Sequence, residues 1–213
     1  MKIFKEWREA HMYLELEPTD KDKITRSILE KYAKASVSLE GAFKYPTGAA
    51  ALRMLGYDET ILNLVPEPVQ AAYCGVGNPF SLGAIAPGTA VIDIGSGAGV
   101  DTLFAALMVG PEGRAVGIDI TPEMVERANK NLHQMKLSNV SFCQASAEKL
   151  DFLPEGFDVA ISNGVLNLVV NKERALAEIY KVLKPGGRLM LADQVLAGDP
   201  PQSIKGMVTS WYR

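Results

Sequence analysis

Residues 89–99 read Thr-Ala-Val-Ile-Asp-Ile-Gly-Ser-Gly-Ala-Gly, and no other stretch constrains the fold of this chain as tightly. The apolar residues Ala90, Val91, Ile92 and Ile94 read as a buried strand, and Gly95, Gly97 and Gly99 crowd the turn behind them. Glycine belongs in such a turn because the backbone must bend sharply and approach a ligand with no Cβ in the way. A helical stretch over 100–107 follows. Strand, glycine turn and helix in that order build a small-molecule cradle at the carboxyl end of the strand. The amides of the helix N-terminus face the same space, which suits a carboxylate or a phosphate.

A second apolar run, 114–118, ends in Asp119, twenty positions after Gly99. In a doubly wound sheet an acid at this place hydrogen-bonds the ribose hydroxyls of a bound nucleoside. The spacing here is G-x-G-x-G, so the last position of the dinucleotide fingerprint falls on Val100. The G-K-[ST] of a phosphate-binding P-loop is absent. A nucleoside-type ligand that is not a dinucleotide is the expectation.

Composition narrows the setting. A chain of 213 residues, 47% hydrophobic and 22% charged, buries an ordinary globular core. A net charge of −3 gives no basis for nucleic acid or an anionic membrane as partner. No apolar stretch reaches the ~18–20 residues of a membrane span, and the N-terminus is too charged for a secretory signal. The two cysteines, Cys74 and Cys143, form no C-x-x-C, which fits a reducing cytoplasm.

Ile24, Ile28 and Tyr32 recur at helical spacing and predict a helix over about 22–35, with Asp20 or Asp22 as cap. The first twenty residues read either as another helix or as an arm. Residues 36–88 are rich in turn formers and hold short helical pieces near 48–55, 58–64 and 69–73. Strands are predicted over 90–94, 115–119, 140–144, 159–162 and 188–192. Helices over 100–107, 122–135 and 172–183 alternate with them, plus a short piece near Ala147. Thr121 and Pro122 open the second helix, and Lys184-Pro185-Gly186-Gly187 closes the third. This alternation is that of an α/β fold with a Rossmann-like, mostly parallel, doubly wound sheet.

These motifs resemble a class I S-adenosylmethionine-dependent methyltransferase over 89–196. Four segments carry the likeness: 93–99 (DIGSGAG), 117–124 (GIDITPEM), 158–167 (DVAISNGVLN) and 182–187 (VLKPGG). The resemblance implies S-adenosyl-L-methionine as cofactor and S-adenosyl-L-homocysteine as product. It places the cofactor's carboxylate at Gly95, Ser96, Gly97 and Gly99, its ribose on Asp119, and its adenine between Ile120 and Met124. Ala147 and Glu148 would meet the adenine edge, with Ser146 or Glu148 holding the amine. Asp93 would orient the cradle, Asn163 would touch the methionine end, and Tyr73 and Asn78 would close over it. Asp101 reads either as a cofactor contact or as a first-turn acid favouring the helix dipole.

A closer resemblance, over about 32–196, is to the arsenite methyltransferase subgroup, through 44–48, 55–57, 73–79 and 162–168. That subgroup holds trivalent arsenic on cysteine thiolates, and two of its cysteine positions fall here on Val76 and Gly164. Neither side chain binds arsenic, so the metalloid site is read as lost and no metal as bound. Cys74 lies two residues from the first position; Cys143 reads as a small thiol on a core strand. His11 and His133 are the only histidines, and His133 reads as solvated. Trp7, Met54 and Trp211 read equally as core or lid.

The division expected is an N-terminal helical cap or lid over 1–88 and an S-adenosylmethionine-binding methyltransferase domain over 89–213. The family adds a helix and two strands after the equivalent of Leu196, so the chain reads as short at its C-terminus, truncated or with a homodimer partner on the open sheet edge. The reading is methyl transfer to a small-molecule acceptor. The alternatives are a non-catalytic cofactor-binding module and, third, arsenite methylation.

Overall fold

The computed structural model describes residues 16–195 and, after them, 197, 203, 205, 206, 208 and 211. Trp7, His11, Leu196, Ser210, Tyr212 and Arg213, and the reading of the first fifteen residues, lie outside the described residues. In chain order come α1 (Pro18–Val37), α2 (Gly48–Met54), α3 (Glu59–Leu62), α4 (Glu67–Gln70) and a 3-10 turn (Pro79–Leu82). Then follow β1 (Ala90–Ile94), α5 (Val100–Val109), β2 (Arg114–Asp119), α6 (Pro122–Met135) and β3 (Val140–Gln144). They are followed by β4 (Phe157–Asn163), α7 (Lys172–Val182) and β5 (Leu183–Ala192).

The five strands form one sheet in the order β3-β2-β1-β4-β5, every neighbour parallel. β1 sends Ala90, Ile92 and Ile94 to one apolar cluster and Val91 to another, the strand period of two. Both faces of β1 are covered, which is why its sequence is a continuous apolar run rather than an alternation. The chain turns to β2 on one side of β1 and to β4 on the other. A crevice therefore opens at the carboxyl ends of β1 and β4, the topological switch point where such sheets take ligands.

Several boundaries differ from the sequence expectation. α1 starts at Pro18, with Glu17 rather than Asp20 or Asp22 at the N-cap. Proline in the first turn loses only an amide that has no intrahelical partner there. Thr121 occupies the N-cap of α6, yet its side chain makes no capping bond; Asp119 Oδ1 instead accepts the Thr121 amide at 2.8 Å. No helix forms at Ala147, where an isolated antiparallel bridge joins Ser146 and Lys149. β5 starts at Leu183, not Arg188: Leu183 pairs with Phe157 and Arg188 with Val159, so residues 184–187 bulge out of the ladder.

Candidate active site

The crevice continues into a cleft roofed by α1. Ile24 and Ala35 anchor α1 in the interior, while Thr25, Ile28 and Tyr32, on the spacing of successive turns, face the cleft. The floor is the glycine turn. Gly95, Gly97 and Gly99 have φ of 71°, 51° and 84°, a left-handed backbone that L residues avoid. The turn is pinned from several sides. The Ser96 amide donates to the Ile118 carbonyl at 2.7 Å and the Gly97 amide to Asp119 Oδ2 at 2.9 Å. Asn131 of α6, fully buried, donates to the Ala98 carbonyl at 2.9 Å.

Three carboxylates converge here. Asp93 at the end of β1 accepts the Thr102 hydroxyl at 2.6 Å, and burial raises its carboxyl above the usual range. Asp119 spans from β2 to the glycine turn through its two amide bonds, and burial raises its carboxyl as well. Asp101, in the first turn of α5, is pushed up to about 6 by burial, against the opposing pull of hydrogen bonds from Asn163 and Tyr57. All three line the cleft. Such a site favours positive charge in whatever it binds.

Asn163, at the end of β4, joins the segments. Its Oδ1 accepts the Val76 and Gly77 amides at 2.9 and 3.0 Å, and its Nδ2 donates to Asp101 Oδ2 at 2.9 Å and the Gly77 carbonyl at 2.8 Å. The Tyr57 hydroxyl donates to Asp101 Oδ1 at 2.7 Å, and that of Tyr73 to the Gly77 carbonyl at 2.6 Å. The loop 73–77, the end of β4 and the start of α5 are thus held as one unit.

Of the residues expected at the site, Tyr73, Asp93, Gly95, Ser96, Gly97, Asp101, Asp119, Ile120, Ala147, Glu148 and Asn163 line the cleft. Three are not among the lining residues: Met124, Gly99 and Asn78. Met124 is 1% exposed and packs in the cluster with Val100, Leu103 and Phe104, because the first turn of α6 faces α5. Gly99 is the N-cap of α5, and a Cβ on it would lie 2.5 Å from Phe142 Cζ, so that side of the residue is packed against β3. Asn78 caps the 3-10 turn by accepting the Phe80 amide at 3.0 Å and donates to the Gly56 carbonyl at 3.0 Å; it is a loop residue. The Glu148 carboxylate accepts the Asn171 amide at 3.1 Å, and Ser146 Oγ accepts the Glu148 amide at 3.2 Å.

Sequence reasoning missed Tyr57, the α1 residues, and Cys74, whose thiol burial pushes up to about 12. It also missed Val165 and residues 168–170 after β4. The apolar run 164–170 was visible, but nothing in it separates a cleft wall from core. Val76 and Gly164 prove to be neighbours: a Cβ on Gly164 would lie 3.2 Å from Val76 Cγ1. His133 is exposed, as the sequence suggested, whereas Cys143 is only half-buried and lies on the edge strand β3 rather than on a core strand. Trp211 donates its indole N–H to the Leu168 carbonyl at 2.8 Å.

A family model described as a methyltransferase domain matches residues 85–211. The chain belongs to this methyltransferase family. Within it the chain is of the class I, S-adenosylmethionine-dependent kind, similar to the arsenite methyltransferases. An arsenite methyltransferase of Halobacterium salinarum is 38% identical over 159 residues, which are 75% of this chain and 40% of that protein. A ubiquinone/menaquinone biosynthesis C-methyltransferase of Ectopseudomonas mendocina is 40% identical over 57% of this chain and 48% of its own length. The crystal structure of an arsenic(III) S-adenosylmethionine methyltransferase from Chlamydomonas reinhardtii superposes with a TM-score of 0.63 at 35% identity, covering 78% of this chain and 55% of that one. The chain spans about half the length of these relatives.

The cleft fits the family's cofactor on its own geometry. Ser96 Oγ is buried in the turn without a hydrogen-bond partner, a polar group left for a ligand. A Cβ on Gly97 would meet nothing within 4 Å, so the turn is open on its ligand side. Asp119 offers a carboxylate to a ribose, half-exposed Ile120 and Ala147 offer apolar faces to a base, and Asp93 and Asp101 oppose a cation. Among the described residues no group of three or more metal-ligating side chains could hold a metal ion, and no helix is long and apolar enough to cross a membrane.

Proposed function

We propose that this chain binds S-adenosyl-L-methionine in the cleft at the β1/β4 switch point and transfers its methyl group to a small-molecule acceptor. The observation that carries the reading is the convergence of Asp93, Asp101 and Asp119 on the open glycine turn, with no cationic side chain among the described lining residues. Buried carboxylates without counter-charges suit a ligand with a sulfonium and an ammonium group. Bound there, the cofactor supplies a methyl group already activated by positively charged sulfur. The protein's part is then to orient, to enclose and to exclude water. Asp119 takes the ribose, Ser96 and Asp101 take the methionine end, and α1 closes the cleft over both. Asn163 holds loop 73–77 against Asp101, so the wall facing the reacting group is rigid.

An arsenite acceptor is disfavoured by Val76 and Gly164, which bring a methyl pair against a bare backbone where the subgroup places sulfur. Calorimetry with S-adenosylhomocysteine tests the cofactor reading. Binding should weaken about 10–100-fold in Asp119→Ala, the loss of charge-assisted hydrogen bonds. Unchanged affinity would remove Asp119 from the site, and absence of binding to the unaltered chain would end the proposal.

A further inference from the structure

The rest of the cleft wall bears on the acceptor. Apart from the glycine turn and Asp119, the wall comes from α1 (Thr25, Ile28, Tyr32), from Cys74 and Gly75, and from the segment 164–170 after β4. These side chains are apolar or uncharged. The ionisable acids in the lining are Asp93, Asp101, Asp119 and Glu148, and among the described residues no lysine, arginine or histidine joins them. Neighbouring lysines are committed elsewhere. Lys172 donates to the Asn167 and Val169 carbonyls at 3.2 and 2.8 Å and lies 4.5 Å over the Trp211 ring; Lys31 lies 5.1 Å over the Phe43 ring.

Four backbone amides around the cleft are taken by the protein's own acceptors. Gly97 and Thr121 donate to Asp119, and Val76 and Gly77 donate to Asn163. The first turn of α5 carries its own carboxylate in Asp101. An anionic acceptor entering beside the cofactor would lose its hydration with no cationic side chain among the described lining residues to offset that loss, and it would stand near the carboxylates of Asp93 and Asp101.

We propose that the acceptor carries no negative charge: it is a neutral or amine-bearing small molecule whose apolar body packs on Ile28, Tyr32, Leu168 and Val169. This rests on the reading of the cleft as a cofactor site. Charge flow in the transfer agrees with it. The acceptor's lone pair becomes the new bond to carbon, the carbon–sulfur pair stays on sulfur, and positive charge passes to the acceptor, which then releases a proton to water. The carboxylates attract that charge on either side of the transfer. With an anionic nucleophile the charge is annihilated instead, and a negative site opposes the reaction.

The test uses the chain saturated with S-adenosylhomocysteine and three probes sharing one ring: benzyl alcohol, benzylamine and benzoate, each titrated by saturation-transfer NMR. Benzyl alcohol and benzylamine should bind at least tenfold more tightly than benzoate. Val170→Arg, folded by its melting curve, should narrow the gap by bringing a guanidinium to the wall. Benzoate binding as tightly as benzyl alcohol, or no probe binding at all, overturns the proposal. Failure of S-adenosylhomocysteine to bind, read beforehand by calorimetry, overturns the cofactor reading and this proposal with it.

Discussion

Gly97 and Gly99 lie two residues apart in one turn, yet a methyl group on each would meet different surroundings. On Gly97 it would point into open space, and on Gly99 into the ring of Phe142 at 2.5 Å. Both have positive φ, so alanine costs about 1–2 kcal/mol of backbone strain at either place. Gly99→Ala adds overpacking, typically ~1–3 kcal/mol, and should lower the melting temperature while binding in the folded fraction changes little. Gly97→Ala should melt closer to the unaltered chain and lose S-adenosylhomocysteine affinity at least tenfold, because its methyl group occupies ligand space. Paired melting curves and calorimetry separate the two. The sequence presented these glycines as equals, and only their three-dimensional neighbours set an open side apart from a packed one. Met124 carries the same lesson: its place after Asp119 is as expected, but the rotation of α6 turns it into the core.

At the scale of elements, the segment 164–170 is a cleft wall held from behind. Trp211 donates to the Leu168 carbonyl, and the Lys172 ammonium bridges the Asn167 and Val169 carbonyls while stacking on the same indole. Trp211→Phe keeps the ring and removes the donor. It should cost about 1 kcal/mol, seen as roughly fivefold faster amide exchange over 164–170 and weaker S-adenosylhomocysteine binding. Unchanged exchange there would show that the indole merely rests on the surface. This tie spans 43 positions, and Tyr57 meets Asp101 across 44. Neither leaves a local pattern, so neither was legible in the sequence. β1 and β3, by contrast, were legible to the residue, because burial and turn chemistry are written in their own few positions. β5 was half legible: Lys184-Pro185-Gly186-Gly187 signals a turn, and the ladder simply accommodates that turn as a bulge.

For the whole molecule, the buried acids set how stability follows pH. Asp101 has its carboxyl raised from 3.8 to about 6 by burial, with Asp93 and Asp119 raised in the same direction. Between those values the folded chain holds more protons than the unfolded chain. Stability therefore falls as pH rises from about 4 through about 6 as Asp101 ionises, and goes on falling until Asp93, raised well above its ordinary value, is ionised as well. Asp158 and Glu178 are shifted the opposite way by their lysine and amide partners, so their contribution is lost only on further acidification. Thermal melts should thus show higher stability near pH 5.5 than at pH 7.5, and Asp101→Asn should flatten that rise. A ligand that sets an ammonium group against these carboxylates reverses the balance: S-adenosylhomocysteine should bind more weakly below about pH 6, where Asp101 takes up its proton.

Asn163 is followed directly by Gly164, the dipeptide in which the backbone amide most readily attacks the preceding side chain and converts asparagine to aspartate over time. In this fold the Gly164 amide is engaged by the Ala192 carbonyl at 2.8 Å, and both ends of the Asn163 side chain are held. The pairing of β4 with β5 therefore acts as a preservative. Wherever that edge frays, ageing would place a carboxylate opposite Asp101 and the Gly77 carbonyl. The shelf life of the binding site is then governed by a strand pair that forms only one of its walls.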